Sequence, residues 1–286
     1  MSARAGSPAL RTVRFGKTAE APVLGLGTWR MGEDARRRRA EIDALKLGID
    51  LGMTLVDTAE MYGSGTAETI VAEALEGRRD RVFLVSKVLP QNASKTGTVR
   101  ACERSLARLK TDRLDLYLLH WPGAHPVEDT LDAFTRLRDQ GKILHYGLSN
   151  FDTDEMESAA AFPGGDGIVA DQVLYNLGRR GIERSLLPWC RAHGVFVMAY
   201  SPLEQGRLGT KKALASVAAR HEVSAACVAI AWTIREKGVI AIPKATSPEH
   251  VRENARASAL VLSEEDLAAL DAAFPAPSRD VPLAVL

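Results

Sequence analysis

Short apolar runs alternate with amphipathic segments along most of the chain. The runs are rich in aliphatic and β-branched residues and lack a polar face, a pattern typical of parallel strands covered by helices. They lie at 23–27, 54–59, 82–88, 114–120, 143–149, 169–175, 195–201 and 239–244. The sequence therefore predicts an α/β protein with eight parallel strands.

Segments with helical periodicity separate these runs. Helices are predicted at 34–51, 66–76, 96–109, 129–139, 152–160, 182–193, 224–236 and 263–273. Gly52 and Gly77 suit helix C-terminal caps, and Ser263, which three acidic residues follow, suits an N-terminal cap. This alternation predicts a (β/α)₈ TIM barrel with right-handed crossovers, and we expect one domain over residues 1–286.

An open, doubly wound sheet is the alternative fold for such an alternation. Its first strand usually leads into a glycine-rich dinucleotide-binding turn with three spaced glycines. The segment 25–29 reads Gly-Leu-Gly-Thr-Trp, lacks the third glycine and precedes a polar loop. The barrel is therefore the better prediction.

Charge and cysteine content narrow the class of protein. The 286 residues include 37 basic and 36 acidic side chains, a net charge of +1, which predicts no general attraction to nucleic acid or to an acidic membrane surface. No apolar run reaches the length of a membrane span, and residues 1–6 do not resemble a signal peptide. Cys102, Cys190 and Cys227 form no CxxC pair, so we expect a reducing, cytoplasmic location.

Polar residues stand where the predicted strands end. In a barrel, chemistry takes place at the C-terminal ends of the strands, and polar groups that are buried there need partners. These residues are Asp57, Lys87, His120, Ser149, Asn150, Gln172, Tyr200, Ser201 and Lys244, with Tyr62 five residues beyond Asp57. No HExxH or paired Cys/His spacing accompanies them, so we expect no metal site.

Several of these segments are similar to one enzyme family. The segment 57–63, Asp-Thr-Ala-Glu-Met-Tyr-Gly, resembles the aldo-keto reductase signature around its catalytic Asp and Tyr, and the surroundings of Lys87 and His120 resemble the other two catalytic positions. Segments 147–151, 172–176, 199–203 and 242–244 resemble its cofactor motifs. More narrowly, 28–34 and 187–190 resemble bacterial members of the methylglyoxal-reductase type.

The resemblance implies an NADPH-dependent reduction of small aldehydes or α-dicarbonyls. Tyr62 would donate the proton, and Lys87, held as a cation by Asp57, would lower the phenol pKa from its ordinary value of about 10. His120 would orient the carbonyl oxygen by a hydrogen bond. The substrate pocket is expected to be lined by Trp29, Met31 and Trp121.

The resemblance also implies a set of cofactor contacts. Ser149, Asn150 and Gln172 would bind the nicotinamide carboxamide, Tyr200 would stack on the ring, and Ser201 and Leu203 would contact the pyrophosphate. The remaining expected contacts are Gly27, Thr28, Trp29, Lys244, Thr246, His250, Glu253 and Asn254.

The adenosine end departs from the family pattern. Ala245 stands where that pattern has Ser, and His250 stands where it has Arg. A guanidinium binds phosphate bidentately and stays charged, whereas an imidazole is charged only part of the time near pH 7. We therefore expect a preference for NADPH that is weaker than in members with Arg, which leaves room for NADH.

Two other functions fit the same barrel. A 2,5-diketo-gluconate-like sugar-acid reductase would need a cationic residue in its pocket, for which Arg30 and the loop after Trp121 are candidates. A non-catalytic barrel that senses NADPH and regulates a partner is the second alternative. For the reductase, a small carbonyl compound is the only expected partner, and the family default is a monomer.

Overall fold

The structure is a computed structural model that describes residues 10–15, 19–208 and 211–286. The prediction that no signal peptide is present concerns residues 1–6, which lie outside the described residues.

The described chain begins with an antiparallel hairpin that the apolar pattern did not predict. Strand β1 (Thr12–Phe15) pairs with β2 (Ala19–Pro22). The Phe15 ring packs edge-on against Phe83 and His145, with centroid distances of 5.7 and 5.1 Å, at the N-terminal ends of two barrel strands. The hairpin therefore covers the end of the barrel opposite to the predicted site. Residues of β1 alternate between exposed and buried, so this strand was not among the runs apolar on both faces.

The central sheet contains the eight predicted strands, in sequential order and all parallel. They are β3 (Gly25–Gly27), β4 (Leu55–Asp57), β5 (Phe83–Val88), β6 (Leu114–Leu119), β7 (Ile143–Ser149), β8 (Ile168–Leu174), β9 (Phe196–Tyr200) and β10 (Val239–Ala241). A parallel bridge between Leu24 and Ala241 closes the sheet, and the Gly27 amide donates to the Pro243 carbonyl at 3.0 Å. This closure confirms the barrel and excludes the open sheet.

Helices pack around the outside of the barrel. They are α1 (Arg38–Asp50), α2 (Thr66–Ala74), α3 (Lys95–Leu109), α4 (Val127–Asp139), α5 (Thr153–Ala160), α6 (Leu186–Ala192), α7 (Lys212–Arg220), α8 (Ala225–Thr233), α9 (Pro248–Arg256) and α10 (Glu264–Ala273). The sequence pattern missed α7 and α9. Helix α9 is mostly polar, and only Val251 and Asn254 of its nine residues are buried, so its apolar stripe is short. The predicted Ser263 cap of α10 is confirmed.

Two further features bear on the earlier expectations. Cys102, Cys190 and Cys227 are free and buried. Within the described ranges, no single helix has the length and apolar character to cross a membrane; α7 and α8 reach that threshold only when taken together, and they are bent by 94° at their junction.

Candidate active site

Lys87 is the centre of a buried polar cluster at the C-terminal end of the barrel. Its side chain is fully buried, and Nζ donates to Asp57 Oδ2 at 2.8 Å, to the Thr58 carbonyl at 2.8 Å and to Tyr62 Oη at 3.1 Å. These three bonds use all three ammonium protons. Burial lowers the pKa of Lys87, but the Asp57 charge and the hydrogen bonds outweigh it, so the pKa is raised overall and the amine stays cationic.

Tyr62 begins a tight turn in the loop between β4 and α2. The three residues after it, Gly63, Ser64 and Gly65, have φ of 55°, 52° and 90°, a left-handed conformation that glycine adopts without strain. The chain thus reverses directly after Tyr62, and the hydroxyl lies against Lys87. Because Lys87 donates to this oxygen, the phenol proton is left to point elsewhere.

The direction of the Tyr62 pKa shift differs from the expectation. Burial raises the pKa of Tyr62 above 10.0, and the Asp57 charge adds to this. Lys87 lowers the pKa, as expected, through its charge and its hydrogen bond, but it does not outweigh burial. Tyr62 is therefore a protonated phenol at neutral pH.

His120 completes the predicted group of four. It follows β6, and its ring meets the Tyr62 ring edge-on at a centroid distance of 5.7 Å. Burial, with a smaller contribution from Lys87, lowers the pKa of His120 to about 2. The imidazole is therefore neutral at physiological pH. Its Nδ1 is buried and has no hydrogen-bond partner among the described residues.

The ends of β7, β8 and β9 form a second polar layer beside this group. The Gln172 amide donates to Asp57 Oδ1 at 2.8 Å. Asn150, which has a left-handed φ of 60°, donates to the His120 carbonyl at 3.1 Å and accepts from the Tyr200 hydroxyl at 2.9 Å. The residues expected to bind the carboxamide are thus bonded to one another and to members of the predicted catalytic group.

The loop between β3 and α1 forms one side of the site. The Thr28 hydroxyl donates to the Asp57 carbonyl at 2.9 Å, and a Cβ on Gly27 would lie 2.7 Å from the Ile242 carbonyl oxygen. Trp29 is 42% exposed, and its ring packs edge-on against that of Tyr62 at a centroid distance of 5.0 Å. Across the site, the Trp121 ring lies 4.7 Å from that of His120. Met31, in contrast, is fully buried in the core, so it does not form an open pocket wall.

The expected adenosine contacts lie after β10. Lys244 is exposed, Thr246 is half-buried, and His250 is exposed in the first turn of α9, where its amide donates to Ser247 Oγ at 3.2 Å. Partial desolvation lowers the pKa of Lys244; Glu41 opposes this effect and Arg37 adds to it.

Of the last two residues expected at the adenosine end, Glu253 is already engaged within the protein and Asn254 is buried. The Glu253 carboxylate accepts from the Ser224 amide at 3.3 Å and pairs with Arg256 at 3.0 Å, while Asn254 is buried. Glu253 therefore already joins α9 to the start of α8.

The loop after β9 contains the expected pyrophosphate contacts. Ser201 has a φ of 49°, and its carbonyl accepts from Asn176 at 2.9 Å; Leu203 packs against the core. Glu204, which the sequence analysis did not single out, accepts from Asn176 at 2.9 Å and from Arg179 at 2.9 Å. These bonds tie the loop after β9 to the loop after β8.

Glu60 and Glu41 are two further buried acids near the site that sequence reasoning missed. Glu41 accepts from the Gly32 amide at 3.0 Å and so holds the Trp29 loop to α1. Glu60 stands inside the recognised 57–63 segment, and only this position could have drawn attention to it. In the part of the chain that the structure describes, no group of three His, Cys, Asp or Glu side chains could hold a metal ion.

Comparisons with known proteins point to one enzyme family. The family model described as "Aldo/keto reductase family" matches residues 23–274. Methylglyoxal reductase YeaE of Escherichia coli K12 is 51% identical over 272 residues, 93% of this chain and 96% of that protein. Glyoxal reductase of Bacillus subtilis is 34% identical, over 91% of this chain and 92% of its own. A crystal structure of an aldo/keto reductase from Klebsiella pneumoniae in complex with NADP and acetate superposes with a TM-score of 0.95 at 48% identity, covering 97% of this chain and all (100%) of that one.

Proposed function

Since the chain belongs to the aldo/keto reductase family, we propose that it reduces small aldehydes and α-dicarbonyls, such as methylglyoxal, with NADPH. The observation that carries the proposal is the buried ammonium of Lys87, which donates to the Tyr62 hydroxyl oxygen at 3.1 Å. The names of the two bacterial relatives, a methylglyoxal and a glyoxal reductase, support this substrate class.

Tyr62 is the proposed proton donor and Lys87 its partner. A raised pKa keeps the Tyr62 proton in place until an acceptor forms, and an alkoxide that develops on the substrate is a much stronger base than a phenolate. Once the proton leaves, the Lys87 charge stabilises the phenolate in a site with little water. Asp57 keeps Lys87 charged, and neutral His120 can donate one hydrogen bond to the carbonyl oxygen.

The donor set fits NADPH, which when bound supplies the hydride. Ser149, Asn150 and Gln172 place hydroxyl and amide groups beside the catalytic group, as a carboxamide requires. The half-exposed Tyr200 ring at the rim suits stacking. Ser201 and Leu203 lie on the adjoining loop. The exposed ammonium of Lys244, close in sequence to the N-terminus of α9, suits a phosphate.

The surroundings of the site favour a small neutral carbonyl over a sugar acid. Arg30 is exposed, and its positive charge contributes to lowering the pKa of Lys244. Arg30 therefore lies on the cofactor side of the site. The loop after Trp121, residues 122–126, is exposed, and its one titratable side chain is His125. Among the described residues at the floor of the site, Lys87 is the one cation, and Asp57 already neutralises it. Trp29 and Trp121 instead offer aromatic walls that keep water from the reacting atoms.

A panel assay tests this function. Consumption of NADPH is measured with methylglyoxal, glyoxal, simple aldehydes and a 2,5-diketo sugar acid. We expect the highest kcat/KM among the α-dicarbonyls. Highest efficiency on the sugar acid would favour the sugar-acid reductase, and tight binding of NADPH with turnover of none of these compounds would favour the sensor.

The binding of the 2′-phosphate of NADPH near His250 gives a second test of the proposed function. We expect His250→Arg to raise the ratio of kcat/KM for NADPH to that for NADH by about tenfold, because a permanently charged, bidentate donor replaces an imidazole. His193→Arg makes the same exchange at the C-terminal end of α6, at the other end of the barrel, and should leave the ratio unchanged. A wild-type preference for NADPH of about a thousandfold would contradict the weakened grip inferred from Ala245 and His250.

We also propose that residues 1–286 form one domain, that the protein acts as a monomer and that it resides in the cytoplasm. The continuous alternation of strands and helices supports a single domain. The monomer is the family default, and the three free cysteines support a reducing compartment such as the cytoplasm.

A further inference from the structure

Glu60 lies in the turn between Asp57 and Tyr62, with its side chain almost fully buried. Its Oε1 accepts from the Leu89 amide at 2.8 Å and from Asn92 Nδ2 at 2.9 Å. Its Oε2 lies 3.5 Å from the guanidinium of Arg104, a half-exposed residue of α3. One carboxylate thus joins the turn that carries Tyr62 to the segment that follows Lys87.

The backbone joins the same two segments less firmly. The Thr58 amide donates to the Val85 carbonyl at 2.9 Å, and the Glu60 amide donates to the Lys87 carbonyl at 3.4 Å, close to the limit of a hydrogen bond. Beyond residue 60, the turn has no strand pairing to β5. The two charge-assisted bonds of the Glu60 carboxylate are both shorter than this 3.4 Å contact, so they are the stronger link at the Tyr62 side of the turn.

The hydrogen bond between Lys87 and Tyr62, which depends on the position of this turn, is long. Lys87 Nζ and Tyr62 Oη are 3.1 Å apart, whereas charge-assisted bonds are usually about 2.7–2.9 Å long. A shift of the turn by about half an ångström would take this pair out of hydrogen-bond range. The Glu60 carboxylate bonds to Leu89 and Asn92 and not to the Tyr62 hydroxyl, so its influence on Tyr62 is exerted through geometry.

We infer that Glu60 is a positioning residue for carbonyl reduction: by clamping the turn after Asp57 to Leu89 and Asn92, it holds the Tyr62 hydroxyl against Lys87. The inference rests on the proposed function, since it concerns the proton donor of that reaction. Glu60 takes no part in proton transfer itself.

The main test compares Glu60→Ala with Glu60→Gln. The alanine variant should lose about 10- to 100-fold in kcat with methylglyoxal, the size of effect that a misplaced catalytic group produces, while the Kd for NADPH stays within about twofold. The glutamine variant keeps an acceptor oxygen for Leu89 and Asn92 and should restore kcat to within about threefold of wild type. Arg104→Gln removes only the outer ion pair and serves as the control with unchanged kcat.

A second readout follows Tyr62 without turnover. The protein has five tyrosines; with ¹³Cζ-labelled tyrosine, the Tyr62 signal is identified by its loss in Tyr62→Phe. In Glu60→Ala, the phenol should titrate at a higher pH than in the wild type, because Lys87 no longer lowers its pKa as strongly. A merely structural role for Glu60 would not move this titration. If Glu60→Ala does not fold, Asn92→Ala takes its place, because it removes one of the two hydrogen bonds to the Glu60 carboxylate. It should lower kcat and raise the titration pH of Tyr62 by smaller amounts than Glu60→Ala would.

Several outcomes would overturn the inference. Wild-type kcat and an unchanged Tyr62 titration in the variant tested would do so, as would a loss of kcat that only follows a parallel loss of NADPH affinity. Wild-type turnover in Tyr62→Phe would instead refute Tyr62 as the proton donor, and the titration would still decide whether Glu60 positions it.

Discussion

Replacing Lys87 by Met is expected to lower kcat with methylglyoxal by about 10²- to 10⁴-fold, the usual range for loss of general-acid function. Met fills the buried space but cannot donate to Tyr62, so the phenolate that forms on proton transfer loses its stabilising charge. Steady-state kinetics with saturating NADPH measures the effect. The Kd for NADPH should change little, because Lys87 contacts Asp57, Thr58 and Tyr62 rather than the expected cofactor residues.

Lys244→Met is the matched control for this prediction. The exchange is chemically the same, but Lys244 is exposed and lies at the proposed phosphate site. It should therefore raise the KM for NADPH and leave kcat nearly unchanged, the opposite pattern to that of Lys87→Met. Wild-type turnover in Lys87→Met would refute the assignment of Lys87 as the partner of Tyr62.

Replacing Glu68 by Ala is expected to lower the free energy of unfolding by about 3 kcal/mol, as when one partner of a buried ion pair is removed. Glu68 is fully buried in α2; it accepts from Ser86 Oγ at 2.7 Å and from Arg108 Nε at 2.5 Å. The substitution leaves both donors without their acceptor. Urea unfolding followed by circular dichroism measures the loss of unfolding free energy. At urea concentrations below the unfolding transition, kcat should be unchanged. The reason is that Ser86 and Lys87 are successive residues of a strand, so their side chains point to opposite faces of the sheet.

Glu73→Ala provides the control on the same helix. Glu73 also pairs with an arginine, Arg38, but its side chain is 45% exposed, and exposed pairs contribute at most about 1 kcal/mol. The double variant Glu68→Leu with Arg108→Met should recover most of the stability, since it leaves no buried charge unpaired. Equal losses of unfolding free energy in Glu68→Ala and Glu73→Ala would contradict the prediction that the buried ion pair contributes more than the exposed one.

The sequence alone led to the barrel because apolar runs are a local pattern, and it led to the group of four because the segments around these residues resemble the catalytic segments of one family. Apolar runs predicted where each strand lies, and parallel strands place their C-terminal ends at one edge, so Asp57, Lys87 and His120 had to converge there. The pattern missed β1 and α9, because a short strand with alternate exposure and a mostly polar helix bury few apolar residues.

Burial and distance between residues remote in sequence could be decided only by the tertiary structure. It buries Met31, which the sequence placed on the pocket wall, and it raises the pKa of Tyr62, since the cost of desolvation depends on the whole surroundings. It also brings Glu60 to Leu89 and Asn92, about thirty residues away in the chain (29 and 32), a contact that no local pattern encodes. The sequence by itself determined which chemical groups stand at the strand ends; the packing of loops over those ends decided their charge states and their partners.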